Sequence, residues 1–150
     1  AMDGQQVPLA YAGVSLHDFY ARAAFTSPIA GADHLWDVGF VFRSAGAVSD
    51  EAFRLILDSD GVWSFKAGLQ APIATGHVDG LASDVGGVTR IDLIAIGDVG
   101  YVAINGGFVT KLDLTSRDAA GDIGVGTGFY VEDALADTQT PYAEFAVWPL

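Results

Sequence analysis

Between Arg90 and Leu114 the chain reads RIDLIAIGDVGYVAINGGFVTKLDL. Apolar and polar side chains alternate there, and glycine interrupts them twice. Period two is the signature of a strand with one buried face. Gly97-Asp98-Val99-Gly100 makes one turn and Asn105-Gly106-Gly107-Phe108 a second, so the stretch reads as three successive strands. Tight primed turns need positive φ, which glycine adopts freely and Asn favours. With Gly106-Gly107 as the two-residue loop, Ile104 faces Val109, Val102 faces Lys111 and Tyr101 faces Leu112. No side chain in the stretch is reactive, so it fixes architecture and leaves the chemistry to be sought elsewhere.

The same alternation recurs along the chain. Residues 1–13 read as a lead-in or an edge strand, and the opening Ala1-Met2-Asp3-Gly4 resembles a tag-cleavage remnant. From Val14 to Thr26, Phe19, Ala21, Ala23 and Phe25 share one face, and Ser27-Pro28 closes the segment. Helix competes there because alanine is abundant; the evenly spaced aromatics favour strand. In LWDVGFVFRS, Trp36, Val38, Phe40 and Phe42 fall on one side, and Leu35, Asp37, Gly39, Val41 and Arg43 on the other. Residues 52–68 read as a hairpin around Ser59-Asp60-Gly61. That loop pairs Leu57 with Trp63, Leu55 with Phe65 and Phe53 with Ala67, and a one-residue slip would scatter the apolar set. Its opposite side carries Arg54, Asp58, Ser64 and Lys66. Ile73–Thr75 and His77-Val78 are candidate short strands, Asp84–Gly87 a turn, and Thr115–Gly121 a loop with room for one helical turn. GDIGVGTGFY at 121–130 is a glycine-flanked strand, 132–138 an acidic loop, and YAEFAVWPL a closing strand. Many short strands with turn signals roughly every 8–12 residues imply an all-β sandwich or barrel, in a single unit over 14–150.

Composition narrows the partners. A net charge of −12 opposes binding to nucleic acid or an anionic membrane surface. No apolar run approaches the length of a membrane span. The absence of cysteine removes disulfides, thiolate metal sites and cysteine nucleophiles. His17, His34 and His77 are scattered, and no G-x-S-x-G elbow is present.

The pieces WDVGFVFR (36–43), FRLILDSDGVWSF (53–65), GDVGYVAINGGFV (97–109), GDIGVGTG (121–128) and YAEFAVWPL (142–150) stand in an order that resembles the concanavalin A-like lectin/glucanase superfamily of jelly rolls. More narrowly they resemble its bacterial laminin-G-like and keto-disaccharide-hydrolase-like branch. The resemblance implies two antiparallel sheets packed face to face, with a glycan often bound on the concave one. It also implies an extracellular or cell-surface setting as one module of a larger protein. The retaining glucanases of the superfamily carry E-x-D-x-E on one strand, which sets acid and nucleophile on one face. Here the three Glu, at 51, 132 and 144, have no such partner on a credible strand. The expected function is therefore a non-catalytic carbohydrate-binding module. A hydrolase of the keto-disaccharide type and a structural or adhesion spacer are the alternatives.

Asp37, Arg43, Arg54, Asp58, Ser64 and Lys66 form the candidate sugar-binding set. All six are expected to project from the non-core face of neighbouring strands, where carboxylate and guanidinium suit hydrogen bonding to hydroxyls. Tyr20, Tyr101 and Trp148 are candidates for the aromatic rim of that site. Trp36, Phe40, Phe42, Phe53, Trp63 and Phe65 are assigned to the core. A structural calcium ion is the one candidate cofactor, with Asp118, Asp122 and Asp133 as loop ligands and Asp137, Asp84 and Asp98 as further loop carboxylates. The competing reading of these loops is acidic residues that keep an apolar chain soluble.

Overall fold

The computed structural model describes residues 9–27, 34–45, 51–82, 84–127, 129 and 142–150. Eleven strands and no helix occur among them. They are β1 (Leu9–Tyr11), β2 (Phe19–Thr26), β3 (Asp37–Ser44), β4 (Phe53–Asp58), β5 (Val62–Ala67), β6 (Ala74–His77), β7 (Val88–Ile96), β8 (Val99–Ile104), β9 (Gly107–Asp113), β10 (Asp122–Thr127) and β11 (Tyr142–Pro149). One sheet runs β1-β10-β3-β4-β5-β6 and the other β11-β2-β7-β8-β9, with every pairing antiparallel. The meanders β3–β6 and β7–β9 each stay within one sheet. The first and last strands alternate between sheets, so that β10 inserts between β1 and β3 while β11 lies beside β2.

The core forms where the inward faces meet. Phe19, Ala21, Ala23 and Phe25 of β2, with Ile91 and Leu93 of β7, face Val38, Phe40 and Phe42 of β3, Leu55 and Leu57 of β4, and Phe65 of β5. Each large side chain removed from water contributes about 2–3 kcal/mol. Phe42, Phe53 and Phe65 form a ring cluster with centroids 5.1–6.2 Å apart. Trp36, Phe40 and Trp63 are buried as assigned. The alanines of β2 favoured a helix by propensity alone, but the two-residue period of Phe19 and Phe25 governs the strand.

The β4–β5 hairpin has the expected register: Leu57 opposite Trp63, Leu55 opposite Phe65 and Phe53 opposite Ala67. Its turn is closed by the Gly61 N–H on the Asp58 carbonyl at 2.9 Å, while Asp58 Oδ1 accepts from the N–H groups of Asp60 and Val62. The expected short strands at Ile73–Thr75 and His77-Val78 are one strand, β6, over Ala74–His77. No helical turn forms over 115–121.

The β8–β9 register departs from expectation. The loop is Asn105-Gly106, not Gly106-Gly107, and Ile104 pairs with Gly107. Both loop residues have positive φ, 52° and 84°, as a type I′ turn requires. Asn105 is held there because its Oδ1 accepts the Arg90 N–H at 2.8 Å. A bulge between Val102 and Ala103 then sets Tyr101 opposite Lys111 and Gly100 opposite Leu112.

Candidate functional site

The six-stranded sheet presents an outer face whose rows follow from strand register. Val41, Arg54 and Lys66 form one row. Gly39, Ile56, Ser64 and Thr75 form the next. Asp37 opposite Asp58, and Val62 opposite His77, form a third. Gly39 is required: a Cβ there would stand 2.0 Å from the Leu55 carbonyl oxygen. The β3 end of this face is closed. Val41, Ile56 and Asp37 are buried, and Asp37 Oδ1 accepts the Phe129 N–H at 2.6 Å. The Phe129 ring lies 5.8 Å from the Arg54 guanidinium carbon, a cation–π contact. Toward β6 the face opens. Lys66 is half-buried, and Thr75 and His77 are exposed. His77 Nε2 lies 2.9 Å from the Asp60 carbonyl and its Nδ1 lies 3.2 Å from Asp79.

The structure brings together Asp37, Arg54, Asp58, Ser64 and Lys66 and separates the remaining candidates from them. Arg43 departs from the expected outer position. A bulge where β10 meets β3 shifts the register between Asp122 and Gly124, and Arg43 takes a φ of 49°. Its side chain is thereby turned into the end of the sandwich, fully buried. There the guanidinium donates to the carbonyls of His17, Gly97 and Arg117, and Arg117 Nε donates back to the Arg43 carbonyl. Arg43 thus ties β3 of one sheet to the β7–β8 turn of the other. Burial pulls its pKa below the usual guanidinium value, with Asp118, Asp18 and Asp98 opposing that shift.

Tyr20, Tyr101 and Trp148 also fall elsewhere, because β2, β8 and β11 all belong to the five-stranded sheet. They form a row on its outer face, Trp148–Tyr20–Ile94–Tyr101–Lys111. The rings of Tyr20 and Trp148 stack at 4.9 Å and 19°. In the neighbouring row Asp92 accepts from the Tyr20 hydroxyl and lies 3.4 Å from Arg22 Nε and 3.1 Å from Arg90 Nε. Phe129, Thr75 and His77 are the residues of the six-stranded face that sequence reasoning missed. β6 is too short for periodicity to orient, and Phe129 follows a strand rich in glycine.

Of the expected loop ligands, Asp122 is the first residue of β10 and serves the backbone, and Asp118 pairs with a histidine. Asp122 Oδ1 accepts from the N–H groups of Gly13, Val14 and Ile123. Asp118 bonds His17 Nε2. No group of three metal-ligating side chains occurs among the described residues, and Asp133 and Asp137 lie outside them. His17 faces two carboxylates, Asp118 at Nε2 and Asp18 at Nδ1, and both contacts raise its pKa above 6.5. The Gly97 N–H, then His17, lower that of Asp18. The signs follow by linkage. The His17 contribution is complete below 6.5 and is lost as pH rises through the raised folded value. The Asp18 contribution is complete above 3.8 and is lost as pH falls through the lowered one. Urea midpoints should therefore fall as pH climbs past 6.5, and His17→Gln should flatten that slope. An unchanged slope would show that another group carries it.

No family model and no curated protein matches the sequence. Solved structures do match. The carbohydrate-binding module CBM66 from Bacillus subtilis superposes with a TM-score of 0.70 at 16% identity, over 95% of this chain and 81% of that one. Sheep galectin-11 gives 0.64 at 13%, over 95% and 98%. A Bacillus subtilis protein of unknown function with a galectin-like fold gives 0.63 at 15%, over 93% and 76%. No helix among the described residues is long and apolar enough to cross a membrane. With two antiparallel sheets in this strand order and these neighbours, the chain has the concanavalin A-like sandwich fold, of the jelly-roll, galectin-like kind.

Proposed function

We propose that this chain is a non-catalytic carbohydrate-binding module acting outside the cytoplasm, which holds a glycan across β4, β5 and β6 on the outer face of the six-stranded sheet. One observation carries the reading: three adjacent strands set Arg54, Lys66, Thr75 and His77 on one face that opens toward β6, with Ser64 buried among them. Donors and acceptors at fixed strand spacing suit the hydroxyls of a sugar chain. Phe129 beside Arg54 supplies an aromatic surface at the closed end. The carboxylates of the face, Asp37 and Asp58, both accept backbone N–H groups. That favours binding over hydrolysis, which needs a pair facing the substrate. The likeness to a carbohydrate-binding module and to galectins supports the same class of ligand.

Lys66→Ala with Thr75→Ala should weaken glycan binding at least about tenfold, or about 1.4 kcal/mol, without moving the melting temperature. A glycan array identifies the ligand and calorimetry measures the loss. No binding to any neutral or acidic glycan would overturn the reading.

A further inference from the structure

The outer face of the five-stranded sheet gathers two guanidiniums around one carboxylate. Strand register sets Ala146, Arg22, Asp92 and Ala103 in one row, and Ala143, Ala24 and Arg90 in the row beside it. Arg22 Nε lies 3.4 Å from Asp92 Oδ1, and Arg90 Nε lies 3.1 Å from Asp92 Oδ2. Arg22 Nε also donates to the Tyr20 hydroxyl at 3.3 Å. One carboxylate cannot balance two guanidiniums, so the cluster keeps a net positive charge. Depth is graded within it: the Asp92 side chain is 13% exposed, that of Arg22 33% and that of Arg90 41%. The carboxylate thus lies underneath and the guanidiniums above it. Both cations bond the protein through Nε, and neither donates from a terminal nitrogen to any described residue. Their terminal N–H groups keep the fork that suits a bound oxyanion.

The surroundings suit a saccharide as the carrier of that oxyanion. Ala24, Ala103 and Ala146 flank the charges, and side chains this short leave a shallow depression. Tyr20 and Trp148 stand at one side of it, with the Arg22 guanidinium carbon 5.7 Å from the Trp148 ring centroid. Trp148 is exposed, and its strand β11 is the edge of the sheet. Tyr20 therefore covers one face of the indole, and no described strand lies beyond the other. An open aromatic face beside convergent polar groups suits a sugar ring.

We propose that this face holds a second site, for an acidic saccharide. Arg22 and Arg90 fork its carboxylate or sulfate, and its ring lies against Trp148. The −12 charge of the chain does not forbid this. At physiological salt, exposed charges farther away than about 8 Å are largely screened, so the adjacent guanidiniums decide. The site lies on the sheet opposite to β4–β6 and does not depend on the glycan face proposed above.

Tryptophan fluorescence with calorimetry tests the proposal. Trp36 and Trp63, the other two indoles, are buried, so a change on adding ligand reports Trp148. The probes are an oligogalacturonate, its neutral methyl ester, a sulfated oligosaccharide and sodium sulfate alone. At least one acidic oligosaccharide should bind and shift the emission, and which one does so tells carboxylate from sulfate. The methyl ester should bind at least about tenfold more weakly than the uronate if the carboxylate is the ligand, the loss of a charge-assisted bond. Arg22→Gln with Arg90→Gln should lose the acidic saccharide by a similar factor or more. That variant also strips Asp92 of its cations, so Ala146→Glu is the second. It keeps all three charges and offers Arg22 an internal carboxylate in place of the ligand's. It should keep the wild-type melting temperature and lose the acidic saccharide, whereas Lys66→Ala with Thr75→Ala should bind it unchanged. No binding of either acidic oligosaccharide overturns the proposal. So does a methyl ester that binds as tightly as the best acidic probe, or an Ala146→Glu chain that binds as the wild type does. Sodium sulfate that binds as tightly as the oligosaccharides overturns the assignment to a saccharide.

Discussion

Arg43→Met should lower the unfolding free energy by about 3–5 kcal/mol, because it takes a buried donor from carbonyls on three separate segments. The guanidinium is fully buried and reaches the carbonyls of His17, Gly97 and Arg117. Methionine fills much of the volume but donates nothing, so those acceptors lose a partner, at about 1–3 kcal/mol for each one left unsatisfied. The effects are not additive, because the released loops admit some water. Arg43→Lys should recover only part of the loss, since an ammonium cannot fork between carbonyls on different segments. Urea unfolding at constant m-value measures the change. A loss below about 1 kcal/mol, typical of an exposed ion pair, would show that Arg43 does not tie the two sheets together.

Trp63→Ala should cost about 3–5 kcal/mol. The indole is 8% exposed and packs so closely over β6 that a Cβ on Gly76 would stand 2.6 Å from three of its ring atoms. Truncation leaves a cavity between β5 and β6 that a paired backbone cannot collapse to fill. Gly76→Ala should destabilise through the same contact from the other side, by about 1–3 kcal/mol. Thermal melting distinguishes this core role from a role in binding. If Trp63→Ala kept its melting temperature and abolished glycan binding, the assignment of Trp63 to the core would be overturned.

Alternation fixes which side of its own strand a residue occupies, and short turns fix hairpin register. Both are local, and both were legible in Phe19–Phe25, in Trp36–Phe42 and in the β4–β5 pairing of Leu57 with Trp63. The shared outer face of Arg54, Asp58, Ser64 and Lys66 on β4 and β5 followed from the same logic. Where a turn admitted two solutions, the side chain decided. Asn105 accepts the Arg90 N–H and takes the left-handed position that the neighbouring glycine had been given.

Residue pattern alone specifies an all-β chain with its aromatic stripes inside and a polar row on the β4–β5 hairpin. Long-range strand pairing sets Tyr20, Tyr101 and Trp148 on a face opposite to Arg54 and Lys66, and a bulge turns Arg43 inward. The reason is physical. Side-chain direction within a strand comes from the backbone period, whereas the sheet a strand joins comes from pairing with residues far away in the chain. A single inserted residue at a bulge reverses direction without altering the pattern that sequence displays.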